Sequence, residues 1–114
     1  MHVVMANGVF DLLHWGHIEH LKEASLMGDR LIVALTGDRS IAKGPGRPVF
    51  RQEERAAVLR ELRCVDEVVI YEGQWPERVI RMVCPDIYCK GADYAEQAIA
   101  ERALVEELGG VVAF

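Results

Sequence analysis

Two kinds of apolar spacing take turns along the chain. His2–Ala6 is a short, nearly all-apolar run of the strand type. Gly16–Met27 places Ile18, Leu21 and Ala24 at helical spacing and meets a stop at Gly28-Asp29. Arg30–Thr36 (RLIVALT) is almost continuously apolar, as in a strand covered on both faces. A polar loop rich in glycine and proline occupies Gly37–Val49. Gln52–Leu62 then reads as a helix with Ala56, Val58, Leu59 and Leu62 inward. Glu67–Tyr71 is a third strand, Pro76–Val83 a short helix with proline in its first turn, and Asp86–Cys89 a fourth strand. Ala95–Leu108 is a helix ended by Gly109-Gly110, and Val111–Phe114 is a fifth strand.

Strands and helices in strict alternation require right-handed crossovers and a parallel sheet. The expected fold is therefore α/β and three-layered, with a five-stranded parallel sheet and helices on both faces. Such sheets bind ligands at the carboxyl ends of their strands, where the strand order reverses. The loops Asn7–His14, Gly37–Val49, Glu72–Trp75 and Lys90–Tyr94 all leave strands at that edge, so they are expected to form one site.

The first loop carries the strongest chemical signal, GVFDLLHWGH at residues 8–17. Gly8 lets a ligand come close to the backbone. His14 precedes the helix, His17 lies in its first turn, and Gly16 stands between them. Two imidazoles at a helix N-terminus, where unpaired N–H groups and the positive end of the dipole meet, form a site for phosphate oxygens. Asp11 can orient an imidazole or hold a metal through water, and equally can be a loop hydrogen-bonder or a cap. His20 lies too far round the helix for a three-histidine metal site and reads as an ordinary exposed side chain.

The second loop adds Lys43, Arg47 and Arg51, with Arg55 one turn further on, a set of cations suited to a polyanion. In the fourth loop Lys90, Gly91 and Asp93 join a cation, a close-approach glycine and a carboxylate that can accept from a base or sugar hydroxyl.

Composition narrows the classes. The 114 residues suit one small domain, 1–114, with enough apolar content (51%) for a core. A net charge of −5 argues against a nucleic-acid footprint. No apolar run approaches a membrane span and no secretory leader is read, so cytoplasmic residence is expected. Cys64, Cys84 and Cys89 lack zinc-type spacing and read as buried, reduced thiols. The phosphate loop of P-loop NTPases, the dinucleotide G-x-G-x-x-G and a nucleophile elbow are all missing from the sequence.

GVFDLLHWGHIEHL resembles the H-x-G-H signature of the cytidylyltransferase-like nucleotidyltransferases, which implies a Rossmann-like α/β fold, and the resemblance covers essentially the whole chain. GDRLIVALTGDRS, KGPGRPV, ERAAVLRELRCVDEVV, PDIYCKGADY and GGVV are similar to segments of two branches. One is the adenylyltransferase domain that makes ADP-heptose from heptose 1-phosphate; the other is glycerol-3-phosphate cytidylyltransferase. KGPGRPV, KGADY and GGVV lean to the first, whereas HWGH, Trp75 and Arg63 before Val65-Asp66-Glu67 lean to the second.

The resemblance implies transfer of AMP or CMP from ATP or CTP to a phosphorylated sugar or polyol, with release of pyrophosphate. By it, His14, His17 and Lys43 are catalytic, and Gly8, Val9, Phe10, Asp11, Gly16, Lys90, Gly91 and Asp93 surround the nucleotide. Arg47 is assigned with the cations to substrate phosphate, and Arg55 and Arg63 match positions tied to substrate phosphate or to the site's support. Asp38 matches a further acidic position. Mg²⁺ is expected to arrive with the triphosphate and to be held by no direct protein ligand, and a homodimer is expected. The family's I-S-T-T-like run after the fifth strand is not found before Phe114. A nucleotide-binding module with reduced catalysis is the competing expectation.

Overall fold

The computed structural model describes residues 1–41, 44–90 and 96–114. Its elements follow the expected alternation: β1 (Val3–Gly8), α1 (Trp15–Ser25), β2 (Arg30–Thr36), α2 (Gln52–Arg60), β3 (Glu67–Tyr71), α3 (Glu77–Val83), β4 (Ile87–Cys89), α4 (Glu96–Glu107) and β5 (Val111–Ala113). A single 3₁₀ turn, Asp38–Ser40, follows β2. The five strands form one parallel sheet in the order β3-β2-β1-β4-β5. Strand order therefore reverses between β1 and β4, the point where α/β sheets open a crevice.

Side-chain alternation along the strands splits the core into two layers. Val4, Ala6, Leu31, Val33, Leu35 and Val68 face Leu21 and Ala24 of α1 and Ala56 and Leu59 of α2. Met5, Ala34, Tyr71 and Tyr88 face Val79 and Ile80 of α3 and Leu104 and Val105 of α4. The inner strand β2, between β3 and β1, is buried on both sides, which explains its unbroken apolar sequence.

The amino-terminal rim is tied by three aspartates. The Asp29, Asp66 and Asp86 carboxylates accept the backbone N–H groups of His2, Leu31 and Val3, each at 2.7 Å. Each aspartate lies just ahead of a strand or of its pairing and closes the first rung to a neighbour, so strand register is fixed from below.

Three expectations change. Val58 faces outward, because Arg55, not Val58, takes the inward place on α2 with Ala56 and Leu59. Among the thiols Cys89 is buried, with burial pushing its pKa up, but Cys84 is exposed at the left-handed end of α3. His20 is half-buried rather than exposed. Among the described residues no helix is long and apolar enough to cross a membrane.

Candidate active site

The histidine pair is built from its own backbone. His14 is the N-cap of α1 in extended conformation, and its Nδ1 accepts the Gly16 N–H at 3.0 Å. His17 returns the contact: its Nδ1 accepts the His14 N–H at 3.1 Å. The two side chains complete a reciprocal capping box, with imidazoles in the places usually held by a hydroxyl and a carboxylate. The rings stack, with centroids 3.9 Å apart and planes 30° apart.

This geometry sets the tautomer. A neutral imidazole that accepts at Nδ1 carries its proton on Nε2. Both rings therefore turn an N–H donor away from the helix backbone, beside the positive end of the α1 dipole. That is an anion-binding arrangement, with His14 exposed and His17 half-buried.

Gly16 is required by this packing, since a Cβ there would lie 2.9 Å from His14 Cε1. At Gly8 a Cβ would come within 3.0 Å of the Phe10 ring. Phe10 is itself buried, holds φ at 51°, and meets His17 edge-on with ring centroids 5.2 Å apart. The end of β1 thus folds an aromatic ring under the second histidine.

Other expected ligands have structural partners instead. The Asp11 carboxylate is buried and accepts the Val49 N–H at 2.7 Å, the Phe50 N–H at 3.1 Å and Arg47 Nε at 3.0 Å. Arg47 also donates to the Asp11 carbonyl. Burial alone would raise the Asp11 pKa, but the two backbone N–H groups and the Arg47 guanidinium hold it below the ordinary carboxylate value. Of the roles left open for Asp11, loop hydrogen-bonder is the one the structure supplies. The Asp11 carboxylate is corrected from nucleotide ligand to a clamp between the first and second loops, which Arg47 joins with its side chain still 30% exposed.

Arg55 is corrected in the same way. It is buried, with Nε on the Phe50 carbonyl at 2.9 Å and Nη1 on the carbonyls of Val9 at 2.9 Å and Thr36 at 2.7 Å. Nη2 pairs with the Asp38 carboxylate at 2.6 Å. The Asp38 backbone N–H in turn donates to Gln52 Oε1, 2.9 Å away. One guanidinium thereby ties the carboxyl ends of β1 and β2 to α2, the support role and not the phosphate role.

Arg63 lies on the α2–β3 connection, at the opposite rim from the histidines. It borders a hollow of about 470 Å³ with Ile18, Lys22, Ser25, Leu26, Leu62 and Cys64. A residue after a helix and before a parallel strand sits at the amino-terminal edge, so within this chain Arg63 lies across the sheet from His14.

Lys90 emerges from β4 beside the strand-order reversal, but its Nζ lies 2.7 Å from Oε1 of the buried Glu101 on α4. Glu101 also receives the Tyr88 hydroxyl. Sequence reasoning missed Glu101, which in the chain looks like one more polar position of an exposed helix. Lys43, Gly91 and Asp93 lie outside the described residues.

A cleft of about 880 Å³ opens beside β3 and α3, bordered by Tyr71, Glu72, Gln74, Trp75 and Pro76 among others. A smaller apolar hollow of about 290 Å³ lies between the first loop and α2, under Leu12, Phe50 and Val58. Neither hollow is lined by a histidine: the larger runs along the edge strand β3, and the smaller meets the first loop at Phe10, Leu12 and Leu13.

A parallel sheet with a strand-order reversal, and a two-histidine anion cradle on its first helix, define a nucleotide-handling α/β domain of the nucleotidyltransferase type. The match to the cytidylyltransferase-like family spans residues 5–113, and the chain belongs to that family. It is similar to the bifunctional protein HldE of Gluconobacter oxydans, at 49% identity over 112 residues, 96% of this chain and 23% of that protein. The HldE of Aeromonas hydrophila is 50% identical over 112 residues, 96% of this chain and 24% of that protein. The chain thus spans about a quarter of the length of these curated relatives. Among solved structures, a lipopolysaccharide core biosynthesis protein from Thermoplasma volcanium matches with a TM-score of 0.80 at 35% identity, over 98% of this chain and 92% of that one. Pantothenate synthetase from Thermus thermophilus shares the fold, with a TM-score of 0.65 at 17% identity over 99% of this chain and 55% of that one.

Proposed function

We propose that the chain is a heptose 1-phosphate adenylyltransferase, moving AMP from ATP to the sugar phosphate and releasing pyrophosphate. The observation that carries this reading is the pair of stacked imidazoles at the α1 N-terminus, each accepting a backbone N–H at Nδ1, which sets the proton of the neutral ring on Nε2. The identity of about half to the HldE proteins supports the heptose acceptor, as does the solved relative named for lipopolysaccharide core biosynthesis.

In the reaction an oxygen of the acceptor phosphate attacks the α-phosphorus of the triphosphate. The new P–O bond forms as the bond from Pα to the bridging oxygen breaks, and that electron pair leaves with pyrophosphate. A phosphate monoester has its second pKa near 6, so the attacking oxygen is already ionised at neutral pH and needs no strong base. The chain's own task is alignment and charge stabilisation. His14 and His17 donate to phosphate oxygens from Nε2, the α1 N-terminus adds its dipole, and Lys43 adds a cation by resemblance. The Asp11 carboxylate is spent on the loop clamp, so phosphate oxygens and water are the fitting ligands for Mg²⁺. Bound there, Mg²⁺ supplies charge neutralisation for the triphosphate. A homodimer is carried over from the resemblance, and sedimentation of the purified chain tests it.

The deciding experiment is pyrophosphate release with ATP and CTP against heptose 1-phosphate and glycerol 3-phosphate, with Mg²⁺ present. Turnover that requires ATP and heptose 1-phosphate is the expected result. CTP with glycerol 3-phosphate would move the chain to the other branch. Nucleotide binding without turnover would leave it a binding module.

A further inference from the structure

The carboxyl ends of β1, β2 and β3 carry a polar chain that the reaction above does not use. Asn7 lies on the same face of β1 as Met5, Thr36 lies two residues beyond Ala34 on β2, and Tyr71 ends β3; this is the face covered by α3 and α4. Thr36 Oγ1 is 3.2 Å from the Gly8 carbonyl and 2.9 Å from the Tyr71 hydroxyl, and Asn7 Nδ2 is 3.3 Å from that hydroxyl.

Only one arrangement of protons satisfies all three contacts. A carbonyl cannot donate, so the Thr36 proton goes to Gly8. Tyr71 must then give its proton to Thr36, and the Tyr71 oxygen can only accept from Asn7. The amide is thereby pinned with Nδ2 toward Tyr71 and its acceptor, Oδ1, on the other side.

The place matters as much as the direction. Pairing of β1 with β4 ends at Ala6–Cys89, whereas pairing with β2 runs on to Gly8–Leu35. Asn7 thus projects beyond β4, at the strand-order reversal. Thr36 and Tyr71 are buried, and Asn7 alone of the three is half-open. Tyr71 also borders the 880 Å³ cleft, which runs along the edge strand β3 and α3 and reaches Asn7 only through the Tyr71 hydroxyl. The cleft lies on the α3 side of the sheet, and the histidines lie on the α1 side. A sugar phosphate crossing the end of β1 would present its phosphate to the histidines and its hydroxyls to Asn7.

We infer that Asn7 is a specificity-determining residue for the acceptor, its Oδ1 accepting from a hydroxyl of the sugar or polyol, with Tyr71 and Thr36 as positioning residues. The inference rests on the proposed transfer to a phosphorylated sugar or polyol. A fixed acceptor atom rejects analogues that lack the matching donor, because it is then left unpaired.

The test uses Asn7→Leu and Tyr71→Phe in the full chain, with heptose 1-phosphate, or glycerol 3-phosphate if that is the acceptor turned over. Asn7→Leu is expected to raise the acceptor KM about tenfold while the ATP or CTP KM stays within about twofold. The inhibition constant of ethyl phosphate, which has the phosphate but no hydroxyl, is expected to stay within about twofold as well. Tyr71→Phe, which frees the amide to turn over, is expected to give the same split at about threefold. Equal weakening of ethyl phosphate and acceptor would mean a structural role and overturn the inference; a raised nucleotide KM instead would mean that Asn7 reads the nucleotide and would overturn it too. Should the wild type bind nucleotide without turnover, calorimetric titration of heptose 1-phosphate with α,β-methylene ATP present decides. About tenfold weaker binding by Asn7→Leu supports the inference, and equal binding or no wild-type binding overturns it. Turnover by the wild type with no effect of Asn7→Leu sinks this inference and leaves the proposed function standing.

Discussion

The histidine cradle and the Arg55 clamp lie at the same sheet edge and are made in opposite ways. The cradle's bonds join residues two and three apart, Gly16 to His14 and His14 to His17. The clamp joins Arg55 to Val9 across 46 positions and to Thr36 across 19. The cradle forms whenever α1 starts where it does; the clamp forms only once β1, β2 and α2 have come together. The first is a device of chemistry placed on local structure, and the second is a device of folding that holds the first in place. Losing a member of each should therefore separate activity from stability.

The largest effect is expected on the clamp. Arg55→Ala leaves the buried Thr36 carbonyl, the part-buried Val9 and Phe50 carbonyls and the Asp38 carboxylate without their donor. A loss of about 3 kcal/mol is expected, or a fall in Tm of about 10 °C, read by thermal unfolding. A Tm within about 2 °C of the wild type would show that Arg55 is not the tie described.

Next comes the cradle itself. His14→Ala should cost about 100- to 1,000-fold in kcat, the scale of one preorganised charge-stabilising contact. Its loss of the cap should cost only about 1 kcal/mol of stability. Pyrophosphate release and thermal melts on the same sample measure both. Normal turnover by this variant would remove His14 from the reaction.

Asp11→Asn addresses the second clamp. The carboxylate has a folded-state pKa below its unfolded value of about 3.9. Its ionised form therefore stabilises the fold at all pH values above that, and the contribution is lost as pH falls through the folded pKa. The variant is expected to be less stable by about 1–3 kcal/mol near pH 7, with the gap narrowing below about pH 4. Urea melts across pH check this, and a gap that widens on acidification would contradict the sign.

The finest separation is Gly16→Ala. Alanine is a better helix former than glycine, which offsets part of what is lost as the His14 cap is displaced, so stability should change by less than about 1 kcal/mol. The new Cβ would press on the His14 ring, so kcat should fall about tenfold, less than in His14→Ala. If kcat is unchanged, the His14 ring does not need the position observed.

The alternation of spacings gave the order of all the elements, and two strands, Arg30–Thr36 and Glu67–Tyr71, end where the sequence places them. The histidine site was equally readable, because a cap, a first-turn residue and the glycine between them are neighbours in the chain. The arginines were not. Arg47, Arg55 and Arg63 look alike as cations near a loop, yet one clamps Asp11, one is buried under β1 and β2, and one sits at the far rim. An inward Arg55 on α2 carries no sequence signal, since the carbonyls that justify its burial come from distant segments.

What the sequence determined by itself were the features whose causes lie within one turn or one strand: periodicity, the start of α1, and paired imidazoles around a glycine. What only the tertiary structure decided was which polar groups meet. The Arg55 tie, the Lys90–Glu101–Tyr88 network and the one-way chain from Asn7 to Gly8 all join atoms from separate strands and helices. A buried polar atom must find its partner wherever packing brings one, and packing is a property of the assembled sheet rather than of any segment of it.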